Sequence, residues 1–315
     1  MLRRSTVGGL LSGMHSVDRY LSENPGKRGL ARTVAAWIMF AVLLIAPQTG
    51  VAAAAPSAAA LPRAHAHNDY LHDRPLYDAL AQGFTSVEAD VYPGLQSSDL
   101  SVAHTPWEIR PGRTLRSLYL DPLQQVVAAN GGTVLPGYRG EFQLLIEMKW
   151  DAPAAYRVLD DLVRDPRYAG LFTRYVDGRV VRGPVTIGLL TAFTDGTELR
   201  ATLAAQNTRS AFVVGAPNDL GTGIPATLMP EINADWAKLF RWRGEGAMPD
   251  AERRTLTELV DRAHREGKRI RFWGVPDQPG AARKALWDVQ YDTGADRIAT
   301  DHLSDLAEYL RQRPS

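Results

Sequence analysis

Between residues 63 and 312 the chain repeats one pattern, a short apolar run followed by a longer stretch with helical spacing of its apolar residues. The runs near 63–67, 84–91, 100–104, 142–149, 184–190, 211–215, 227–233, 269–275 and 297–300 read as strands. Helices fall near 75–82, 121–130, 152–165, 196–206, 250–267, 280–290 and 302–312. Segment 250–267 is the clearest, with Asp250 at its start, Leu256, Leu259, Val260 and Ala263 on one face, and Gly267 after its end. The strand candidates are continuous apolar runs rather than alternations, as expected of parallel strands buried on both faces. Such β–α alternation predicts an α/β fold with a parallel sheet, and seven or eight units at this length suit a single (β/α)8 TIM barrel. No glycine-rich phosphate loop follows the first strand, which disfavours a nucleotide-binding open sheet.

The first 55 residues are of another kind. Lys27, Arg28 and Arg32 precede an unbroken apolar run of 13 residues, Val34 to Ala46, which Pro47 and Gly50 break before a series of small residues. Thirteen residues are fewer than the ~20 of a membrane-spanning helix and suit the core of a secretory signal. Residues 1–55 are therefore expected to be a leader cleaved after Ala54, or an anchor if uncleaved, with 56–315 as one exported domain. The whole chain carries a net charge of +1; without the leader, 30 basic and 33 acidic residues leave −3. That balance argues against a nucleic-acid partner. The absence of cysteine excludes disulfides, thiolate metal sites and thiol nucleophiles.

Polar groups cluster where a barrel keeps its chemistry, at the C-terminal ends of strands. The first strand ends in His65-Ala-His67-Asn68-Asp69, the second in Glu88-Ala-Asp90, the short one after it in His104, and the next in Glu147-Met-Lys149. Residues i and i+2 of a strand share a face, so Glu88 converges with Asp90, and Glu147 with Lys149. Three carboxylates at one mouth repel unless a cation lies between them. Oxygen ligands without cysteine point to one divalent cation, Mg²⁺ or Ca²⁺. Lys149 is placed to hold an anionic group, and His67 and His104 offer a general acid and a general base. Together they suggest metal-assisted attack at a phosphodiester.

Five segments, AHNDY (66–70), SVEADV (86–91), LSVAHT (100–105), LLIEMK (144–149) and RIATDHLSDLAEYL (297–310), stand in the order seen in glycerophosphodiester phosphodiesterases. Those enzymes belong to the phospholipase-C-like phosphodiesterase superfamily of TIM barrels. The spelling HAHNDY, followed by RPLYDAL and FTSVEADV, most resembles the divergent branch related to the altered inheritance of mitochondria protein. The resemblance implies that His67 and His104 are the acid/base pair, that Glu88, Asp90 and Glu147 bind the metal, and that Lys149 contacts phosphate. It also implies attack by a neighbouring substrate hydroxyl, giving a cyclic phosphate that water then opens. Where the family has His-Arg-Gly this chain has His67-Asn68-Asp69, so an arginine expected to contact phosphate is missing, with Arg74 as its candidate replacement. The implied substrate is a small-molecule or lipid-headgroup phosphodiester, with peripheral membrane contact; oligomeric state is not legible.

Two other readings compete. An amidohydrolase-type metal hydrolase would use His65-x-His67 and Asp301, but needs further histidines between His104 and His264, where there are none. The other is a barrel retained as a non-catalytic binding module. Asn68, Glu231, Asn233, Trp236 and Trp273 are further pocket candidates. The aromatic and basic segment 235–246 reads as a lid or headgroup clamp, or as aromatics packed on the barrel. Asp301-His302 reads as a helix N-cap, with Thr300 and Asp301 near the mouth.

Overall fold

A computed structural model of the chain describes residues 58–94, 98–192 and 196–313. The expected leader, residues 1–55, lies outside the described residues. The strands are β1 (Leu61–Ala66), β2 (Phe84–Pro93), β3 (Leu100–Val102), β4 (Phe142–Met148), β5 (Arg174–Val176), β6 (Arg179–Val181), β7 (Val185–Thr191), β8 (Thr208–Arg209), β9 (Ala211–Gly215), β10 (Glu231–Asp235), β11 (Arg269–Trp273) and β12 (Ile298–Thr300). The α-helices are α1 (Tyr77–Ala81), α2 (Asp121–Ala129), α3 (Ala152–Val163), α4 (Thr197–Ala204), α5 (Trp236–Leu239), α6 (Asp250–Arg265), α7 (Ala281–Asp292) and α8 (Leu303–Arg311).

Eight parallel strands run in the order β11-β10-β9-β7-β4-β2-β1-β12. A parallel bridge between Arg271 and Arg297 joins the two ends. The sheet therefore closes into the (β/α)8 barrel that the alternation predicts. β3 lies outside the ring and pairs antiparallel with the end of β2. A separate three-stranded sheet of β6, β5 and β8, unforeseen in the sequence, precedes β7 and β9.

One strand begins later than its apolar run. The backbone N–H groups of Leu228 and Met229 donate to the Pro225 carbonyl in a turn, and Pro230 has no N–H to give a ladder. β10 therefore starts, rather than ends, at Glu231. That shift moves Glu231 from the mouth to the barrel floor. Among the helices, α6 shows most plainly why it forms. Acidic Asp250 and Glu252 open it, Arg262, His264 and Arg265 close it, and Leu256, Val260 and Ala263 are buried.

The turn after β1 positions the mouth. Asn68 sits in the left-handed region at φ 48°, which Asn tolerates better than most residues. Asp69 is fully buried and accepts hydrogen bonds from the Leu76 backbone at 2.6 Å and the Tyr119 hydroxyl at 2.9 Å. Burial outweighs both donors and raises the Asp69 carboxyl to about 7. A carboxyl raised on folding stabilises the fold while protonated and loses that contribution as pH climbs through its folded value. Asp69→Asn mimics the protonated form, so its melting temperature relative to wild type should rise between pH 5 and pH 8. A pH-independent difference would refute this account.

Candidate active site at the barrel mouth

β2 turns Glu88 and Asp90 to one face, and its register with β4 sets Asp90 opposite Glu147. One oxygen of each of the three lies within 4.8 Å of the others. Lys149 Nζ reaches Asp90 Oδ2 at 2.9 Å and also pairs with Glu147. The same Asp90 oxygen accepts from the Tyr70 hydroxyl at 2.7 Å and lies 3.0 Å from His104 Nδ1. Asp90 Oδ1, by contrast, is buried without a partner. A buried carboxylate oxygen left bare beside two more carboxylates is a donor set that fits a hard divalent cation. Burial first, then the charges of Asp90 and Glu88, raise the Glu147 carboxyl against the pull of Lys149.

Below this cluster lies an arginine that the sequence reading passed over. Arg271 of β11 is almost wholly buried; its Nη1 donates to Glu88 Oε2 at 2.5 Å and to His65 Nε2, and its Nε to Asn233 Oδ1 at 3.0 Å. Burial works to raise the Glu88 carboxyl, but the Arg271 charge and the His65 contact hold it well below the usual range. His65 is fully buried, and desolvation together with Arg271 lowers its pKa to about 4, so it is neutral at pH 7. Its ring nitrogens join a chain of polar groups. Gln143 Nε2 donates to the Glu231 carboxylate at 2.9 Å, and Gln143 Oε1 accepts from Ser86, 2.7 Å away. Ser86 Oγ lies 2.6 Å from His65 Nδ1, and His65 Nε2 lies 2.9 Å from Glu88 Oε2 as well as against Arg271.

The two remaining histidines share one design. His67 Nδ1 lies 2.8 Å from Asp301 Oδ1, and His104 Nδ1 lies 3.0 Å from Asp90. A carboxylate can only accept, so each Nδ1 carries the hydrogen and each Nε2 is left for another partner. Burial alone would lower the His67 pKa; the hydrogen bond to Asp301 and the charges of Glu88 and Asp301 raise it above 6.5. Asp301 is fixed in turn, because Asp277 accepts from its backbone N–H at 2.9 Å and from Thr300 Oγ1 at 2.8 Å. His67, Asn68, Glu88, His104, Glu147, Lys149, Arg271 and Trp273 all line one cavity of about 410 Å³. Another part of its lining, from β7, β9 and the turn before β10, is apolar at Leu189, Val213, Val214 and Met229 and includes the Arg200–Asp219 ion pair.

The chain is similar to several known proteins. A family model described as the AIM6-like phosphodiesterase domain matches residues 57–213, the span holding His67, Glu88, Asp90, His104, Glu147 and Lys149. That span of the chain is similar to the AIM6-like phosphodiesterase domain. Altered inheritance of mitochondria protein 6 of Eremothecium gossypii is 28% identical over 284 residues, covering 83% of this chain and 73% of that protein. Its counterpart in Lachancea thermotolerans is 30% identical over 283 residues, covering 78% of this chain and 65% of that protein. A solved glycerophosphoryl diester phosphodiesterase from Parabacteroides distasonis is 12% identical with a TM-score of 0.46, covering 80% of this chain and 87% of that one.

Several sequence expectations for the site need correction. Arg74 does not replace the missing arginine: it is exposed and paired with Asp78 through Nη2–Oδ1 at 2.8 Å, away from the cavity. Glu231 is fully buried on the floor, where Arg269 Nε donates to it at 3.1 Å. Trp236 and Phe240 are buried against Phe272, with Trp236 ring centroids 4.5 Å and 5.7 Å from the two phenylalanines, so segment 235–246 packs its aromatics inward and is no lid. Within the Asp301-His302 pair it is His302 that stands at the N-cap of α8, while Asp301 turns to His67. His65 has both ring nitrogens committed below the cluster, and the metal-capable group among the described residues contains no histidine, which disfavours the His-x-His hydrolase. Sequence gave a weak sign of Arg271, a cation inside the apolar run IRFW, and almost none of the His67–Asp301 pairing.

If this arrangement carries proton transfer, His67→Ala and His104→Ala should each lower kcat on an activated aryl phosphodiester by about 10²–10⁴-fold. Asp301→Asn should lower it less, and should move the pH-rate limb of His67 downward, because the raising partner is lost. Arg74→Ala should leave the rate unchanged. Wild-type rates in both histidine variants would refute the assignment.

Proposed function

We propose that this domain is a metal-dependent phosphodiesterase that cleaves a glycerophosphodiester or phospholipid-headgroup type of phosphodiester by histidine acid/base catalysis. The observation that carries the reading is the convergence, at one barrel mouth, of two carboxylate-backed histidines with three carboxylates and Lys149. One imidazole Nε2 takes the proton of the attacking hydroxyl, and the other supplies a proton to the departing oxygen. Lys149, whose charge Asp90 and Glu147 favour despite its burial, faces the phosphate. Mg²⁺ or Ca²⁺ held by Glu88, Asp90 and Glu147 would supply Lewis-acid polarisation of the phosphoryl group.

The charge balance supports an anionic substrate only with such an ion. Glu88, Asp90 and Glu147 outnumber Lys149 and Arg271 by one; a divalent ion turns that excess into a net single positive charge, which matches a phosphodiester monoanion. Substrate presented at a lipid surface is supported by the rim. Leu71, Trp107 and Trp150 are 64%, 83% and 69% exposed on the turns after β1, β3 and β4, the side of the mouth that carries His67, His104 and Lys149. Tryptophan favours the membrane–water interface. The basic segment and apolar run of residues 27–46 support export of the domain.

The deciding experiment is a phosphodiester panel, soluble and in phosphatidylcholine vesicles, with product analysis under Mg²⁺, Ca²⁺ or chelator. Hydrolysis should require the metal, and Glu88→Gln, Asp90→Asn and Glu147→Gln should each lose metal binding and activity while keeping a native circular-dichroism spectrum. Full activity in chelator would overturn the reading. Replacing Trp107 and Trp150 by alanine should slow only the vesicle substrates. Export predicts recovery outside the cytoplasm with an N-terminus at Ala55; an intact leader on cytoplasmic protein would refute it.

A further inference from the structure

We infer that Arg271 is a phosphate-binding residue of this site, the cation that stands where the chain lacks an arginine after His67. The inference rests on the phosphodiesterase reading and adds a residue to it. β11 and β4 are diametrically opposed in the eight-strand ring, so Arg271 and Lys149 face each other across the cavity that both line. An anion between them meets a cation from each side, which a second lysine or arginine on the β1 turn would not give.

The guanidinium itself shows which atom is free. Its Nε is committed to Asn233 and its Nη1 to Glu88 and His65. Nη2 has no hydrogen-bond partner among the described residues, yet it is not one of the buried unpartnered atoms, so it opens to the cavity. The committed nitrogens fix the plane of the guanidinium, and the free one is therefore preorganised as a donor to a phosphate oxygen. Asn233 is a positioning residue in this scheme, since it holds Arg271 and not the ligand.

A purely structural Arg271, present only to neutralise Glu88, makes a different forecast from a ligand-binding one, and two binding constants separate them. Titration calorimetry would measure Mg²⁺ binding to the whole domain and then inorganic phosphate binding to the Mg²⁺-loaded protein. Arg271→Met should weaken phosphate by at least about tenfold, the loss of one charge-assisted hydrogen bond, while Mg²⁺ affinity holds or tightens because a competing cation has left Glu88. Arg271→Lys keeps the charge but loses the fork, and should weaken phosphate as well; it serves if the methionine variant does not fold. Asn233→Ala should act in the same direction, and Arg74→Ala should change neither constant. Unchanged phosphate affinity in Arg271→Lys or Arg271→Met, or a parallel loss of phosphate and Mg²⁺, overturns the inference. Neither measurement depends on turnover, so an inactive wild type would sink the phosphodiesterase reading without deciding the role of Arg271.

Discussion

The ionised carboxylate of Glu88, buried in the centre of the barrel, is the charge around which the rest of the interior is arranged. A bare carboxylate there would cost many kcal/mol, so it must be paired and hydrogen-bonded. Arg271 supplies the charge, and in doing so brings a second problem, because its Nη1 also points at His65. His65 stays neutral beside it, and its Nδ1 continues the polar chain down through Ser86 and Gln143 to Glu231. Arg269 and Glu141 close the series on the floor. A column of polar groups thus runs the height of a barrel whose outer face packs apolar helices.

The same economy of charge shapes the mouth. Lys149 pairs with two of the three carboxylates and Arg271 with the third, yet an Asp90 oxygen remains buried and unpartnered. Asp90 and Asp301 each stand behind a histidine, and Asp90 belongs to the carboxylate cluster as well, so the two groups share a side chain. Changing Asp90 therefore disturbs more than one interaction, and double-mutant cycles are the proper way to apportion the effects.

The sequence made the barrel and most of its mouth legible for a simple reason. The polar groups of the first half follow one another at strand ends, so His67, Glu88, Asp90, His104, Glu147 and Lys149 are near in sequence order and spaced by the strand period. Where that local logic fails, the reading failed with it. Arg74 carries the right charge near the right turn, but a helical i,i+4 partner, Asp78, claims it. Glu231 has the right parity on the right strand, but Pro230 delays the strand and drops the residue to the floor. For segment 235–246 the sequence left two readings, and the structure bears out the packed one, with Trp236 and Phe240 buried against Phe272.

The chain by itself determined the α/β class, the strands of the ring, the carboxylate cluster and the two histidines, because each depends on residues a few positions apart. Ring closure was decided only by tertiary structure. Closing the sheet sets β12 beside both β1 and β11, which brings Asp301 to His67 across 234 residues and Arg271 to Glu88 across 183. No local period encodes a contact of that kind. It exists because a closed ring makes its last strands the neighbours of its first.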